Sequence, residues 1–421
     1  MYLCANDKLK ILNLEYFIAK RLIAAKSYKS SISSPIIKIA IVAISLGIIM
    51  MLVSVATGVG LQNKIREKVA AFNGHVVISN YDDNQSQVNT VPISTEQDFY
   101  PKFTSVSAVE HIQAVAAKAG MIRTETTVEG ILFKGVGTEY RWNNLKEYLV
   151  KGRIPNISNK RTDEILISEV LANRLQISLQ DTCRTYFIKE NASGYNLRSF
   201  VIVGIFNSGF QEFDANYVIG DLRHIQQINK WKPTEVGAFE VFIKDFNQIE
   251  TTGQAIYKDI PPTYNSITIQ EKYFSIFEWL KLFDFNIIII LVVMIIVATI
   301  NMIVALLVLI LERTQMIGIL KALGANNWNI RKIFLYNASY LILRGLFWGN
   351  AIGLGLLFIQ KYFEIIKLPS ENYYVTVAPV DINPITIIAL NLGTILICLL
   401  VLLVPSYIIT NISPVKAIKF N

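Results

Sequence analysis

Four apolar runs punctuate this chain, at residues 35–61, 286–311, 334–359 and 385–409. Each meets the length of about 20 residues that a helix needs to cross a bilayer. The first is too long for the core of a signal peptide, and no small-residue cleavage site ends it. The second gives way to the polar stretch Glu312-Arg313-Thr314-Gln315, followed by Met316-Ile317-Gly318-Ile319-Leu320-Lys321-Ala322-Leu323-Gly324. Here Met316, Ile317, Ile319, Leu320 and Leu323 recur at the spacing of one helical face, while Thr314, Gln315, Gly318, Lys321 and Ala322 cover the other. Gly324 stands where a helix stops, and Asn326 or Asn327 is placed to cap the next one. Such a short amphipathic helix suits either the lipid surface or a groove on a soluble partner.

Residues 62–285, between the first two spans, carry a mixed pattern and are enough for one or two subdomains. Both ends predict helices, residues 63–72 continuing the first span outward and residues 270–283 approaching the second. Residues 75–79 and 200–206 read as strands, rich in β-branched and aromatic side chains. Residues 108–119 and 168–175 predict helices. Residues 183–188 and 198–203, separated by Asn191-Ala192-Ser193-Gly194, predict a hairpin. Residues 82–89 read as a polar loop. At the N-terminus, residues 9–26 predict an amphipathic interfacial helix, with Leu9, Leu12, Tyr16 and Ile23 set among lysines and Arg21.

Composition agrees with the spans: 52% of the 421 residues are hydrophobic and 17% charged, with a mean hydropathy of +0.40. The net charge of +8 lies largely beside apolar runs, so it speaks to topology and not to nucleic acid. Lys8, Lys10, Lys20, Arg21, Lys26 and Lys29 precede the first run; Arg313, Lys321, Arg331 and Lys332 follow the second; Lys416 and Lys419 close the chain. The loop at residues 360–384 balances Lys361 and Lys367 against Glu364, Glu371 and Asp381. Basic flanks mark the cytoplasmic side, which puts both termini, residues 1–34 and 410–421, and the loop 312–333 inside. The expected fold is an α-helical polytopic membrane protein of four transmembrane helices, with a large external α+β domain inserted between helices 1 and 2.

Little in the sequence suggests catalysis. Cys4, Cys183 and Cys398 match no metal or redox spacing, and His75, His111 and His224 are isolated. Gly-x-Ser-x-Gly and His-Glu-x-x-His motifs are both lacking. Asp163, Glu164, Glu212 and Asp214 read as solvated surface. Gly345, Gly349 and Gly353, four apart in the third run, place small residues on one face where another helix can approach closely. Asn301 is expected to bond a neighbouring helix. Arg344, inside the third run, either snorkels to the cytoplasmic face or serves a function within the membrane. The four runs hold too few polar residues to line an aqueous channel.

The order of one span, a large external domain and three further spans resembles the FtsX-like permease superfamily of ABC transporters. Glu312-Arg313-Thr314 with Ile317-Gly318-Ile319-Leu320-Lys321-Ala322-Leu323-Gly324-Ala325 is similar to its signature after the second span. Within the superfamily, Leu14-Glu15-Tyr16-Phe17-Ile18-Ala19-Lys20-Arg21, Phe200-Val201-Ile202-Val203-Gly204-Ile205-Phe206-Asn207-Ser208-Gly209 with Asp214, Pro405, and Pro414-Val415-Lys416-Ala417-Ile418 resemble the LolC/LolE lipoprotein-releasing permeases. The resemblance covers essentially the whole chain and implies a bacterial inner-membrane protein whose external domain is periplasmic. It implies coupling to a dimer of ABC ATPase subunits through Glu312, Arg313, Met316, Ile317, Ile319, Leu320, Leu323 and Gly324. It also implies a second permease copy or paralogue, and lipid-anchored proteins as cargo.

Gly-x-x-x-x-Gly-Lys-[Ser/Thr] is absent, so ATP and Mg are expected on the partner, with no cofactor bound by this chain. In the lipoprotein branch one permease recruits a periplasmic carrier with a proline-bearing hairpin. The equivalent residues 187–198 are short and lack proline, leaving either no direct carrier docking or docking by a different surface. Two other roles fit the superfamily: efflux of small amphiphiles or peptides, and signalling to a cell-wall hydrolase. The efflux branch commonly carries its ATPase on the same chain, and the signalling branch has a much smaller external domain.

Overall fold

The computed structural model describes residues 14–24, 33–82, 90–188, 194–369 and 373–412. Two compact units emerge: Met1–Leu61 with Lys281–Ile366 and Ala378–Asn421, and Gln62–Leu280 with Lys367–Val377. Cys4, most of the 82–89 loop, the Asn191-Ala192-Ser193 hairpin tip and the Pro414–Ile418 motif lie outside the described residues.

In the helical unit the apolar runs form the four helices that, among the described residues, are long and apolar enough to cross a membrane. They belong to Ser33–Asn73, Phe274–Glu312, Asn327–Phe363 and Pro384–Ser406, and the first two each contribute residues to both units. Asn326 caps the third long helix by accepting from the Trp328 amide at 3.2 Å. Asn383 caps the fourth through the Ile385 amide at 2.9 Å, with Pro384 in the first turn, where its missing N–H costs nothing. Ile44, Ile48, Met51, Leu306, Leu341 and Leu402 meet in the shared interior. The N-terminal helix, Leu14–Ala24, rests on the third long helix: Ala19 is buried, Tyr16 meets Tyr336 edge-on at 5.8 Å, and Glu15 lies 3.8 Å from Lys332.

The other unit is built on twelve strands: β1 (Val76–Asn80), β2 (Ile93–Ser94), β3 (Val109–Arg123), β4 (Val128–Val136), β5 (Leu149–Gly152), β6 (Glu164–Ser168), β7 (Thr182–Ile188), β8 (Tyr195–Phe206), β9 (Tyr217–Asp221), β10 (Glu235–Val236), β11 (Ala238–Ile243) and β12 (Tyr264–Thr268). Nine of them run β12-β1-β11-β3-β4-β9-β6-β8-β5, β7 joins β3 and β8, and β2 pairs with β10 apart from the rest. The expected hairpin is present as β7 and β8, in register Cys183↔Phe200 and Ile188↔Tyr195. Phe133, Phe187 and Phe200 pack together beneath it. The helix expected at 168–175 is Glu169–Leu175, capped by Ser168, which accepts from the Leu171 amide at 3.0 Å.

One expectation is overturned. Residues 108–119 are not a helix: all but Ala108 belong to β3, the longest of these strands, which pairs with β4, β7 and β11. Its alanines favour a helix only weakly, by tenths of a kcal/mol per residue. Three neighbouring strands outweigh that preference, because each buried amide and carbonyl of β3 needs a partner that the sheet supplies. The loop 360–384 is also more than a connection, since Lys367–Val377 belongs to the sheet-bearing unit. There the Tyr374 carbonyl accepts from Lys68 at 2.7 Å, and its ring stacks on Phe210 at 4.4 Å.

Candidate functional site

The stretch after the second long helix is a separate helix, Thr314–Ala322, followed by Gly324 at φ 89°. That left-handed backbone is one glycine adopts at little cost. Arg313 turns the chain between the two helices, and Glu312 closes the longer one, exposed. The predicted apolar face does not act as one surface. Ile317 is fully buried in the membrane unit's interior, and Met316 and Leu320 pack against the same cluster. Ile319 is 46% exposed and Leu323 79%, and exposed Trp328 follows at the start of the next helix. Leu320 is therefore a packing residue, and the free apolar surface is Ile319, Leu323 and Trp328.

Lys321, assigned by its polarity to the solvent side, turns inward. Its ammonium donates to the carbonyls of Ile409 (2.7 Å), Thr410 (3.2 Å) and Ile412 (2.8 Å), just beyond the fourth long helix. Carbonyls at a helix end lack intrahelical donors and carry partial negative charge, so a lysine there satisfies both needs. Desolvation lowers the Lys321 pKa. Hydropathy periodicity has no signal for such a contact, because the acceptors are main-chain atoms 88 or more residues away.

Gly345, Gly349 and Gly353 face the first long helix. A methyl group at Gly345 would lie 2.6 Å from Ile44, one at Gly349 2.8 Å from Ile48 and 3.0 Å from the Ser45 carbonyl, and one at Gly353 3.1 Å from Leu52. Ser45 uses the proximity to donate to the Gly345 carbonyl at 2.9 Å. Asn301 departs from expectation: its amide donates to Val297 of its own helix at 2.9 Å. A polar side chain in an apolar helix can satisfy itself on the preceding turn. The amide contact between helices is made instead by Asn350 and Asn391, which donate to each other at 2.7 and 3.0 Å and each to its own helix as well. Arg344 is exposed on the third long helix, and its guanidinium lies over Tyr340, one turn toward the start of that helix, at 4.6 Å.

In the sheet-bearing unit, the Asn207-Ser208-Gly209 turn is held by Asp214. Its carboxylate accepts from the Ser208 amide (3.0 Å) and hydroxyl (2.8 Å), and the residue is only 4% exposed. The expectation of a solvated Asp214 is thus corrected: burial raises its pKa, and hydrogen bonds from the turn oppose that rise. The turn sets Phe210 and Phe213, which complete a column with Phe72 and Tyr374 at 4.8, 5.2 and 4.4 Å between successive rings. Glu164 is likewise engaged, by Arg153, whereas Glu212 and Asp163 are exposed as expected. On the β7–β8 hairpin, Ile188 and Tyr195 pair across the strands, as do Tyr186 and Leu197, with Met121 of β3 opposite Tyr186. Ile188, Tyr195, Leu197 and Met121 are all exposed, an apolar row that the lack of proline in the sequence did not reveal. Among the described residues no cluster of three His, Cys, Asp or Glu could hold a metal ion.

Comparison with known proteins matches residues 39–258 to the MacB-like periplasmic core domain and residues 288–414 to the FtsX-like permease C-terminal region. The lipoprotein-releasing system transmembrane protein LolC of Buchnera aphidicola is 20% identical over 93% of this chain and 95% of its own length. LolC of Neisseria meningitidis is 21% identical over 97% of this chain and all of its own, and LolE of Haemophilus influenzae 18% over the same shares. Among solved structures, the extracellular domain of the noncanonic ABC-type transporter YknZ is 14% identical, covering 46% of this chain and 99% of that one, with a TM-score of 0.32. The periplasmic region of MacB from Actinobacillus actinomycetemcomitans is 11% identical, covering 48% and 91%, also with a TM-score of 0.32. With four apolar helices and an α+β domain between the first and second, the chain belongs to the FtsX-like ABC transporter permeases that carry a MacB-like periplasmic core domain.

Proposed function

We propose that this chain is the permease of a system that releases lipid-anchored proteins from the bacterial inner membrane, driven by ATP hydrolysis on a separate subunit. Full-length similarity to proteins named as lipoprotein-releasing supports the cargo class. The observation that carries the coupling is the exposed pair Ile319 and Leu323, one turn apart on a helix whose other side is anchored by Ile317 and Lys321. A rigidly held helix with a free apolar ridge fits a groove on a soluble ATPase, since apolar anchors at i and i+4 are how helices bind grooves. The basic residues around it, Arg313, Lys321, Arg331 and Lys332, support a cytoplasmic position for it, on the same side as both termini.

In this reading, closure of the ATPase dimer moves the short helix, and the motion passes along Ser33–Asn73 and Phe274–Glu312 to the periplasmic domain. Two permeases, identical or paralogous, stand on one ATPase dimer. Although the β7–β8 hairpin lacks proline, the exposed apolar row of its Ile188, Tyr195 and Leu197 with Met121 supports docking of a periplasmic lipoprotein carrier on the hairpin itself. The test is co-purification from membranes. Ile319→Asp with Leu323→Asp should insert normally yet lose the ATPase, whereas normal recovery of the ATPase would place the contact elsewhere.

A further inference from the structure

We propose that a cavity inside the periplasmic domain binds a small organic anion, one carboxylate or phosphate group joined to a short apolar body. The cavity holds about 230 Å³ and opens to solvent. The end of the first long helix (Phe72, Asn73), the edges of the central strands, and Lys272 surround it. Among the described residues its charged lining consists of two lysines, Lys134 and Lys272, and one acid, Glu240.

The hydrogen bonding is lopsided toward donors. Lys134, almost fully buried, donates to Glu240 Oε1 at 2.5 Å and to the Phe72 carbonyl at 2.6 Å. Glu240's other oxygen accepts from Gln113 at 2.8 Å, so the single carboxylate is engaged on both sides. Lys272 donates to Asn73 Oδ1 at 3.2 Å. Two ammonium groups bring six protons, and these contacts use three of them. A cation entering the cavity would find Glu240, the one acid among the described lining residues, occupied. An anion would find unused N–H donors and an uncompensated positive charge, the situation in which a charged ligand is worth most. The Lys272 residue is exposed at the rim while its ammonium lies among protein atoms, and that desolvation lowers its pKa. Behind the lysines the wall is Val115, Leu132, Ala238 and Ile267, which suits the apolar part of such a molecule.

The cavity is independent of lipoprotein release and of the ATPase contact. The experiment uses the full chain in lipid nanodiscs and follows acylation of Lys272 by an amine-reactive ester with mass spectrometry. Butyrate is the probe, with n-butylammonium as the charge-reversed control and acetate as the tail-less one. Butyrate should protect Lys272 saturably, slowing its labelling about tenfold at nine times the dissociation constant. Acetate should need a higher concentration, and n-butylammonium should not protect. In parallel, butyrate should raise the melting temperature of the unaltered chain but not of Lys272→Gln. Absence of saturable protection by butyrate would mean that the cavity holds only water. Equal protection by n-butylammonium, or an unchanged melting shift in Lys272→Gln, would also overturn the proposal.

Discussion

Replacing Gly349 by alanine tests the packing of the membrane unit with a single methyl group. That methyl would sit 2.8 Å from Ile48 Cβ and 3.0 Å from the Ser45 carbonyl oxygen. Neither atom is the free end of a flexible side chain, so relief requires the first and third long helices to shift apart. Overpacking of this kind costs about 1–3 kcal/mol. Alanine also favours the helix over glycine by up to about 1 kcal/mol, which would obscure the effect if measured alone. Gly355, on the same helix, provides the reference: a methyl there has nothing within 4 Å. Gly355→Ala gains the same propensity without the clash, so the two variants should differ by about 1–3 kcal/mol, or roughly 5- to 150-fold in the unfolding constant. Equilibrium unfolding in mixed micelles of increasing SDS fraction reads this directly. If Gly349→Ala is as stable as Gly355→Ala, the close approach of the two helices is wrong.

Three further outcomes follow from the same structure. Lys321→Met removes the donor from the carbonyls of Ile409, Thr410 and Ile412; it should cost about 1–3 kcal/mol and speed proteolysis near those residues, with unchanged cleavage refuting the contact. Asn391→Leu should destabilise by leaving Asn350 half-satisfied, while Asn350→Leu with Asn391→Leu should recover part of the loss, giving a coupling of about 0.6–2 kcal/mol in a double-mutant cycle. His75, whose Nδ1 accepts from the Ile243 amide at 3.1 Å, has its pKa lowered to about 4 by burial. The unfolded chain then binds the extra proton first, so stability falls as pH drops from about 6.5 toward 4, by on the order of 2 kcal/mol at pH 5; His75→Gln should lose less over that range.

The long helices were legible because length and composition alone decide a membrane span, and the cap at Asn326 and the stop at Gly324 because both act within a few residues of themselves. Of the sheet, β1, β7 and β8 were legible too, from their β-branched and aromatic residues. Residues 108–119 were not, since the forces that make β3 a strand come from strands distant in sequence. Lys321 and Asp214 were misjudged for a related reason. A charged side chain reads as solvated until its acceptors or donors are in place, and theirs, main-chain groups and for Asp214 the Ser208 hydroxyl as well, come together only on folding. Asn350 and Asn391 differ from Asn301 only in having each other across two helices. The division of the short helix into a buried side and the free ridge of Ile319 and Leu323 required knowing what the first side rests on.

Reconstitution addresses the central claim most directly. Proteoliposomes holding the permease, its co-purified ATPase and a triacylated lipoprotein are given ATP, and the lipoprotein that reaches a soluble carrier is measured. The account predicts release that requires ATP and the ATPase, and that disappears with Ile319→Asp and Leu323→Asp while the proteins remain inserted. ATP-dependent turnover with no lipoprotein released, or release that survives the loss of the Ile319–Leu323 ridge, would contradict it.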